Sequence, residues 1–167
     1  MLGLALFSIT AAQELHTVHC VGGCPAGRPG NDIIVRDIYT LSANDDTAIA
    51  DWVAYVVSKD SIGSGRSRTW RSDPLLEDQE THEPADYTGA NAALKTDRGH
   101  QAPLASFGAI ESIDPSTGLA MWQTTNLLSN ITAQKSNMNQ QPWKNLQKAV
   151  RTVAKRADLI FVPSRSA

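Results

Sequence analysis

Tyr87-Thr88-Gly89-Ala90-Asn91-Ala92-Ala93-Leu94-Lys95-Thr96-Asp97-Arg98-Gly99-His100-Gln101-Ala102-Pro103-Leu104-Ala105 gathers an acid, a base, an imidazole and a glycine that permits close approach into one short run. That grouping suits phosphate chemistry. A neutral histidine can take a proton from water near neutral pH, and an arginine beside it can hold a phosphate oxygen in a planar fork. Taken alone, a histidine next to an arginine is more often a structural hydrogen-bonded pair. The sequence on either side has to decide between the two readings.

Downstream, Asn130, Gln134, Asn137, Asn139, Gln140 and Gln141 supply neutral oxygen donors of the kind a hard, partly hydrated Mg²⁺ accepts. A strand carrying His100 and a helix carrying one such oxygen would clamp one ion and one phosphate. The periodicity predicts that helix over 139–157, with Trp143, Leu146, Val150, Val153, Ala154 and Ala157 on an apolar stripe and Lys144, Lys148, Arg151 and Lys155 mostly off it. Asn139, Trp143 and Gln147 then recur on one face and look into one site. Asn139 also fits a helix N-cap, with Pro142 in the first turn where its missing N–H costs little.

Upstream, 33–41 and 52–57 are rich in β-branched and aromatic residues and are separated by a stretch containing Asn44-Asp45-Asp46, so they read as two neighbouring antiparallel strands that begin the core sheet. From 58 to 86 the chain turns polar with Gly, Ser and Pro, which predicts a long surface loop with Arg66, Arg68 and Arg71 near one end. Its other end, 73–86, holds six acidic residues and no Lys or Arg, a segment that would repel phosphate. A further short strand is expected over 127–131, and 159–162 begins another. No repeat or linker divides the chain, which reads as one α+β domain.

The 167 residues, 41% apolar and 19% charged, are the make-up of one soluble globular domain rather than a disordered or fibrous chain. A net charge of −2 neither demands nor excludes a polyanionic partner. Distribution is more informative, since 134–167 carries seven basic residues against the single acid Asp158.

At the N-terminus, Leu2-Gly3-Leu4-Ala5-Leu6-Phe7-Ser8-Ile9 is too short to span a bilayer but long enough for the apolar part of a secretion signal. Small residues Thr10, Ala11 and Ala12 follow, and 1–12 is read as a signal-peptide remnant. Cys20 and Cys24 are the only cysteines, in a glycine-containing turn that lets two short side chains meet, so a small disulfide loop fits. A rival reading takes His16, His19, Cys20 and Cys24 as zinc ligands, although their spacing matches no common structural zinc pattern. Export and a disulfide agree on an oxidising compartment, secreted or periplasmic.

Asp97-Arg98-Gly99-His100 within its longer string, followed by Asn130-Ile131-Thr132-Ala133-Gln134-Lys135-Ser136 and Asn139-Gln140, closely resembles the DNA/RNA non-specific endonucleases of the ββα-metal (His-Me finger) superfamily, in particular the secreted nucleases of Serratia type. The likeness runs from the Cys20 to Cys24 loop to about Asp158. It implies an α+β fold with a central antiparallel sheet and a ββα-metal finger, over a nuclease domain at 13–167. By this resemblance His100 is the general base that activates the attacking water, and Asn139 is the single protein ligand of a Mg²⁺, with Mn²⁺ as a substitute, that stabilises the leaving 3′ oxygen. Arg68, thirty-two residues before His100, matches an arginine that stabilises the transition state, and Arg98 matches a second basic group near the phosphate. Asn130 matches an active-site asparagine, and Cys20 and Cys24 match a family disulfide. Arg66, Lys144 and Lys148 are the expected further contacts to nucleic acid. The implied reaction cuts single- and double-stranded DNA and RNA to 5′-phosphorylated oligonucleotides, because such enzymes grip backbone rather than base edges. Relatives of this type often pair into homodimers, and no membrane partner is implied.

The chain departs from the family pattern in four places. Gln147 stands where the family has a glutamate that holds the metal's water shell, so weaker metal binding is expected. Pro142 is expected to push the helix start onto Asn139. Extra residues, 111–118, are expected to bulge outward as a loop. The family's domain continues past the strand that begins at Leu159, and Pro163-Ser164-Arg165-Ser166-Ala167 does not resemble that continuation, so the chain resembles a truncated product. The competing expectation is therefore a catalytically impaired fragment that at most binds nucleic acid, through Arg66, Arg68, Lys144, Lys148 and Arg151. Asn130-Ile131-Thr132 is also a glycosylation acceptor by pattern, but a buried active-site asparagine is the favoured reading.

Overall fold

The computed structural model describes residues 14–64, 66–157 and 159–165, so the signal-like 1–12 lies outside the described residues. Three strands open the chain as an antiparallel meander: β1 (Asp32–Val35), β2 (Tyr39–Asn44) and β3 (Ile49–Ser58). The single strand expected over 33–41 is thus two strands. The chain reverses at Arg36-Asp37-Ile38, closed by Arg36 N–H donating to Tyr39 O at 2.8 Å, because the Arg36 side chain is drawn into a buried ion pair.

A separate antiparallel ladder joins β4 (Thr96–His100) to β5 (Ile131–Lys135), and β6 (Leu159–Arg165) returns beside β3 to give the order β1-β2-β3-β6. Pro163 and Ser164, expected beyond the last strand, belong to it. β6 is an edge strand, where a residue without N–H is tolerated. Short helices α1 (Ala90–Leu94), α2 (Leu104–Phe107) and α3 (Met121–Thr124) lie in the connections. A longer helical run follows, made of α4 (Ser136–Met138), a π turn over Asn139–Trp143, and α5 (Lys144–Ala157). No helix among the described residues is long and apolar enough to cross a membrane.

The helix therefore starts before Asn139, which is neither its cap nor its first residue. Pro142 explains the π turn: its ring would meet the Met138 carbonyl in a regular α-helix, and a wider turn removes that clash. The inward stripe is also shifted from the one the periodicity predicts. Trp143, Gln147, Val150, Arg151 and Ala154 face the protein, whereas Leu146 and Val153 are about half exposed, at 54% and 49%.

Alternation along the strands buries both faces of the sheet. Tyr39 and Leu41 of β2 and Val53, Tyr55 and Val57 of β3 form the main core with Phe107, Met121 and Ala154, and Tyr55 meets the edge of Phe107 at 5.7 Å. On the opposite face Trp52 and Ala54 pack under Cys20, Cys24 and Leu15. Cys20 and Cys24 form the disulfide of this covering segment. The zinc reading fails here, since both sulfurs are bonded to each other and the buried His19 ring meets Thr40 Oγ1 at 2.9 Å and Asp37 O at 3.1 Å.

One further expectation is corrected, and one is met except at a single residue. The strand expected over 127–131 is a 3-10 turn at Leu128–Asn130 followed by β5. Leu127, Leu128, Ser129 and Asn130 are all buried, which an alternating strand with one inward face cannot achieve. The outward loop expected over 111–118 is present, with 111–113, 115, 116 and 118 exposed, but Asp114 turns inward: it is buried and lies 3.5 Å from the Arg36 guanidinium.

The 58–86 segment is more than a surface loop, because Asp73 anchors it in the interior. Asp73 Oδ1 accepts from Arg36 Nη2 at 2.6 Å and from Leu75 N–H at 3.1 Å, and Oδ2 accepts from Ser129 Oγ at 2.6 Å. A parallel bridge between Arg71 and Leu127 continues the attachment. Gly63 packs backbone to backbone on Gly108, where a side chain would collide with the main chain. Asp73→Ala leaves a solvent-excluded guanidinium without its main partner and is expected to cost about 3–5 kcal/mol. Urea unfolding of the variant against the native chain measures it, and a cost below about 1 kcal/mol would contradict the role assigned to this pair.

Candidate active site

The β4–β5 ladder and the helical run after β5 form a ββα unit, and the 58–86 loop closes over it. Between them lies a groove of about 860 Å³. The loop contributes Arg68 and Trp70; β4 contributes Asp97, Arg98 and His100; and the helical run contributes Asn139, Gln140, Lys144, Gln147 and Arg151.

His100 ends β4 and is nearly buried, yet it lines this groove. Its Nε2 lies 3.1 Å from Asn126 Oδ1, and Asn126 Nδ2 donates to Ser67 O at 3.4 Å. With the Asn126 amide so oriented, Nε2 must carry the ring proton, and Nδ1 keeps its lone pair. Trp70 packs against the imidazole at 5.4 Å between ring centroids. The His100 carbonyl accepts from Trp143 Nε1 at 3.0 Å and from Gln147 Nε2 at 3.4 Å, so the helix holds the end of the strand. Burial lowers the imidazole pKa to about 4; Asn126 opposes this, and the nearby Arg68 charge adds to it. The ring is a neutral base across the physiological range.

Asp97 organises the other end of the groove. Oδ1 accepts from Asn91 Nδ2 at 2.7 Å and Ser136 Oγ at 2.8 Å, and Oδ2 accepts from Asn139 Nδ2 at 3.1 Å and Gln140 Nε2 at 2.8 Å. The hydrogen bond from Gln140, with those from Asn139, Ser136 and Asn91, holds its carboxyl below the usual carboxylate value. Because the Asn139 amide nitrogen is tied to Asp97, Oδ1 of Asn139 is the end left for a ligand. A neutral oxygen presented this way fits a hydrated divalent cation with one protein ligand. Arg98 is fixed between two rings, 5.4 Å from Trp70 and 5.1 Å from Tyr87, and donates from Nη2 to Pro84 O at 2.9 Å.

The family model of DNA/RNA non-specific endonucleases matches residues 24–162. The chain belongs to the DNA/RNA non-specific endonuclease family. It is 47% identical over 166 residues to a nuclease of Serratia marcescens, covering 97% of this chain and 59% of that protein. It is 27% identical over 165 residues to a nuclease of Nostoc sp., covering 92% of this chain and 55% of that protein. The chain thus spans little more than half the length of these curated relatives. A chain in the crystal structure of the EndoG/EndoGI complex has a similar fold, with a TM-score of 0.64 at 21% identity, over 82% of this chain and 54% of that one.

In this member of the endonuclease family, His100, Arg68, Arg98, Asn139, Gln147 and Lys144 come together in the groove. Arg66 and Lys148 are not among its lining residues. Arg66 is paired with Glu111, donates to Gly108 O at 2.6 Å and stacks on Trp122 at 5.0 Å. Asn130 is wholly buried: it accepts from Ala102 N–H at 2.8 Å and donates to Ala102 O at 3.0 Å and Thr125 O at 2.8 Å. It holds the chain just past His100, and its burial leaves no surface for a glycan. Asp32, Asp45 and Glu80 bring carboxylate oxygens within 4.8 Å of one another, but none of them lines the groove.

Trp70 and Asp97 in the groove, and Asn126 as the partner of His100 behind it, are the participants to which sequence reasoning gave no role. Asp97 was within reach as the acid of the Asp-Arg-Gly-His string, while Asn126 carries no local signal. The depressed histidine pKa has a measurable consequence. Between about pH 6.5 and pH 4 the unfolded chain binds a proton at this residue that the folded chain does not, so stability falls as pH falls through that window. The loss attributable to His100 is roughly 3 kcal/mol. Urea unfolding from pH 7 to 4 of the native chain and of His100→Gln measures it, and the variant is expected to show the shallower dependence; identical slopes would refute the assignment.

Proposed function

We propose that this chain is a metal-dependent endonuclease that hydrolyses phosphodiester bonds of DNA and RNA, single- and double-stranded, to 5′-phosphorylated oligonucleotides. The observation that carries this reading is the Asn126–His100 hydrogen bond, which leaves the imidazole Nδ1 as an unprotonated base in a groove lined by Arg68, Arg98, Lys144 and Arg151. In the proposed step, His100 Nδ1 takes a proton from water, the water oxygen bonds to phosphorus, and the bond to the 3′ oxygen breaks. Arg68 and Arg98 face the charge that gathers on the phosphate oxygens. Asn139 would hold a Mg²⁺, and such an ion, when bound, supplies charge stabilisation to the leaving 3′ oxygen. Recognition through phosphates accounts for action on both sugars, since base edges play no part.

The Cys20–Cys24 disulfide supports a secreted or periplasmic location. A fragment that binds but cannot cut is the competing outcome. Plasmid DNA and total RNA incubated with the purified chain in Mg²⁺, and in EDTA, separate the two. Cleavage of both substrates is expected only with metal, and His100→Ala is expected to reduce it by at least about 100-fold. Binding without cleavage would instead favour the fragment reading. Gln147→Glu is expected to raise apparent Mg²⁺ affinity in the same assay, and an unchanged Mg²⁺ titration midpoint would count against the assigned role of position 147.

A further inference from the structure

Trp70 sits between two anchors on the 58–86 loop: the Ser67 carbonyl accepts from Asn126 Nδ2 at 3.4 Å, and Arg71 N–H donates to Asn126 O at 3.4 Å. The same Asn126 holds His100. The indole is therefore fixed relative to the imidazole, which it meets at 5.4 Å between centroids, and it also carries the Arg98 guanidinium, with Cζ 5.4 Å from the ring centroid. Tyr87 flanks Arg98 at 5.1 Å, but among the described rings only Trp70 packs on both Arg98 and His100. Sequestered arginines elsewhere are held by carboxylates, Arg36 by Asp73 and Asp114 and Arg66 by Glu111. Arg98 has no ion pair among the described residues; Nη2 donates to Pro84 O at 2.9 Å, and Nε is buried without an acceptor.

A carboxylate could also fix this arginine, but it would cancel the positive charge and repel an incoming phosphate. An aromatic face attracts the cation through its quadrupole and adds no net charge, and indole does this best. We propose that Trp70 is a positioning residue for the cleavage reaction: it orients Arg98 at a set distance from the base His100 while leaving the guanidinium charge to the phosphate. The proposal rests on reading the groove as a nuclease site. Orientation matters most when charge develops on the phosphate oxygens, whereas ground-state attraction to a polyanion depends mainly on the number of cations. Loss of the indole is thus expected to act on kcat rather than on binding.

The test follows plasmid cleavage in Mg²⁺ by the full chain, by Trp70→Leu, which keeps apolar bulk, and by Trp70→Phe, which keeps an aromatic face. Trp70→Leu is expected to lower kcat about 10-fold with KM changed less than about 2-fold, and Trp70→Phe to recover most of the loss. In an Arg98→Met background most of the Trp70→Leu loss is expected to vanish. A loss equally large with and without Arg98 overturns the proposal, because Trp70 would then act only through His100 or loop packing. Fluorinated tryptophans at position 70 separate charge from shape, since each fluorine drains the ring face and leaves its outline nearly intact. Cleavage is expected to fall stepwise with fluorine number; a flat series overturns the proposal, including where Trp70→Leu does not fold. Binding of labelled single-stranded DNA in EDTA across a salt series is expected to keep its native slope in Trp70→Leu. A slope lost together with cleavage also overturns the proposal, because collapse of the loop would account for both. If the native chain cuts nothing, the nuclease reading fails and the stacking contact is judged by NMR of the Arg98 Nε–H signal, identified by its disappearance in Arg98→Met. Displacement of that signal in Trp70→Leu upholds the contact, and an unmoved signal defeats it.

Discussion

The buried pair of Arg36 and Asp73 is the constraint on which the rest of this architecture depends. Its two groups come from segments that are otherwise unrelated, the reversal between β1 and β2 and the loop after β3, and both are almost fully withdrawn from solvent. Removing either charge from water is costly, and two further donors to the Asp73 carboxylate help to offset that cost. These are Leu75 N–H and Ser129 Oγ, and Ser129 lies just before β5. One carboxylate therefore fixes the turn, the loop and the approach to the ββα unit together. Arg68 and Trp70, carried on that loop, reach His100 as a consequence.

Within the ββα unit, orientation is set by acceptors rather than by packing alone. Asp97 takes four donors, and because two are the amides of Asn139 and Gln140 it decides which end of Asn139 is presented to the groove. The His100 carbonyl does the same for Trp143 and Gln147. The Asn126 amide, fixed by Ser67 O, selects the histidine tautomer. These contacts link the strand, the helix and the loop, so the geometry of the groove and the fold share the same hydrogen bonds. Local charge follows the same logic: a chain of net charge −2 still presents a cationic groove, with Arg68, Arg98, Lys144 and Arg151 set against the single carboxylate of Asp97.

Much of this was legible along the chain. The β-branched and aromatic runs marked the sheet, the 3.6-residue recurrence marked the last helix, and Asp97-Arg98-Gly99-His100 with Asn139 marked the site and family. These signals are local: strand propensity, helical period and a motif of adjacent residues each depend on neighbours a few positions away. Pro142 was visible too, but its effect was misplaced, since it widens a turn inside the helix instead of starting the helix at Asn139.

By itself, the sequence determined the family, the strand-forming runs of the main sheet and the last helix, and it singled out His100, Asn139, Arg68 and Arg98 as candidates for the site. Only the tertiary structure decided which side chains serve as their partners. The reversal at Arg36 requires Asp73, thirty-seven positions away, to compensate its charge, and the choice of tautomer at His100 requires Asn126, twenty-six positions away. A buried polar group must find an acceptor or donor somewhere in the fold, and its position along the chain does not state which one.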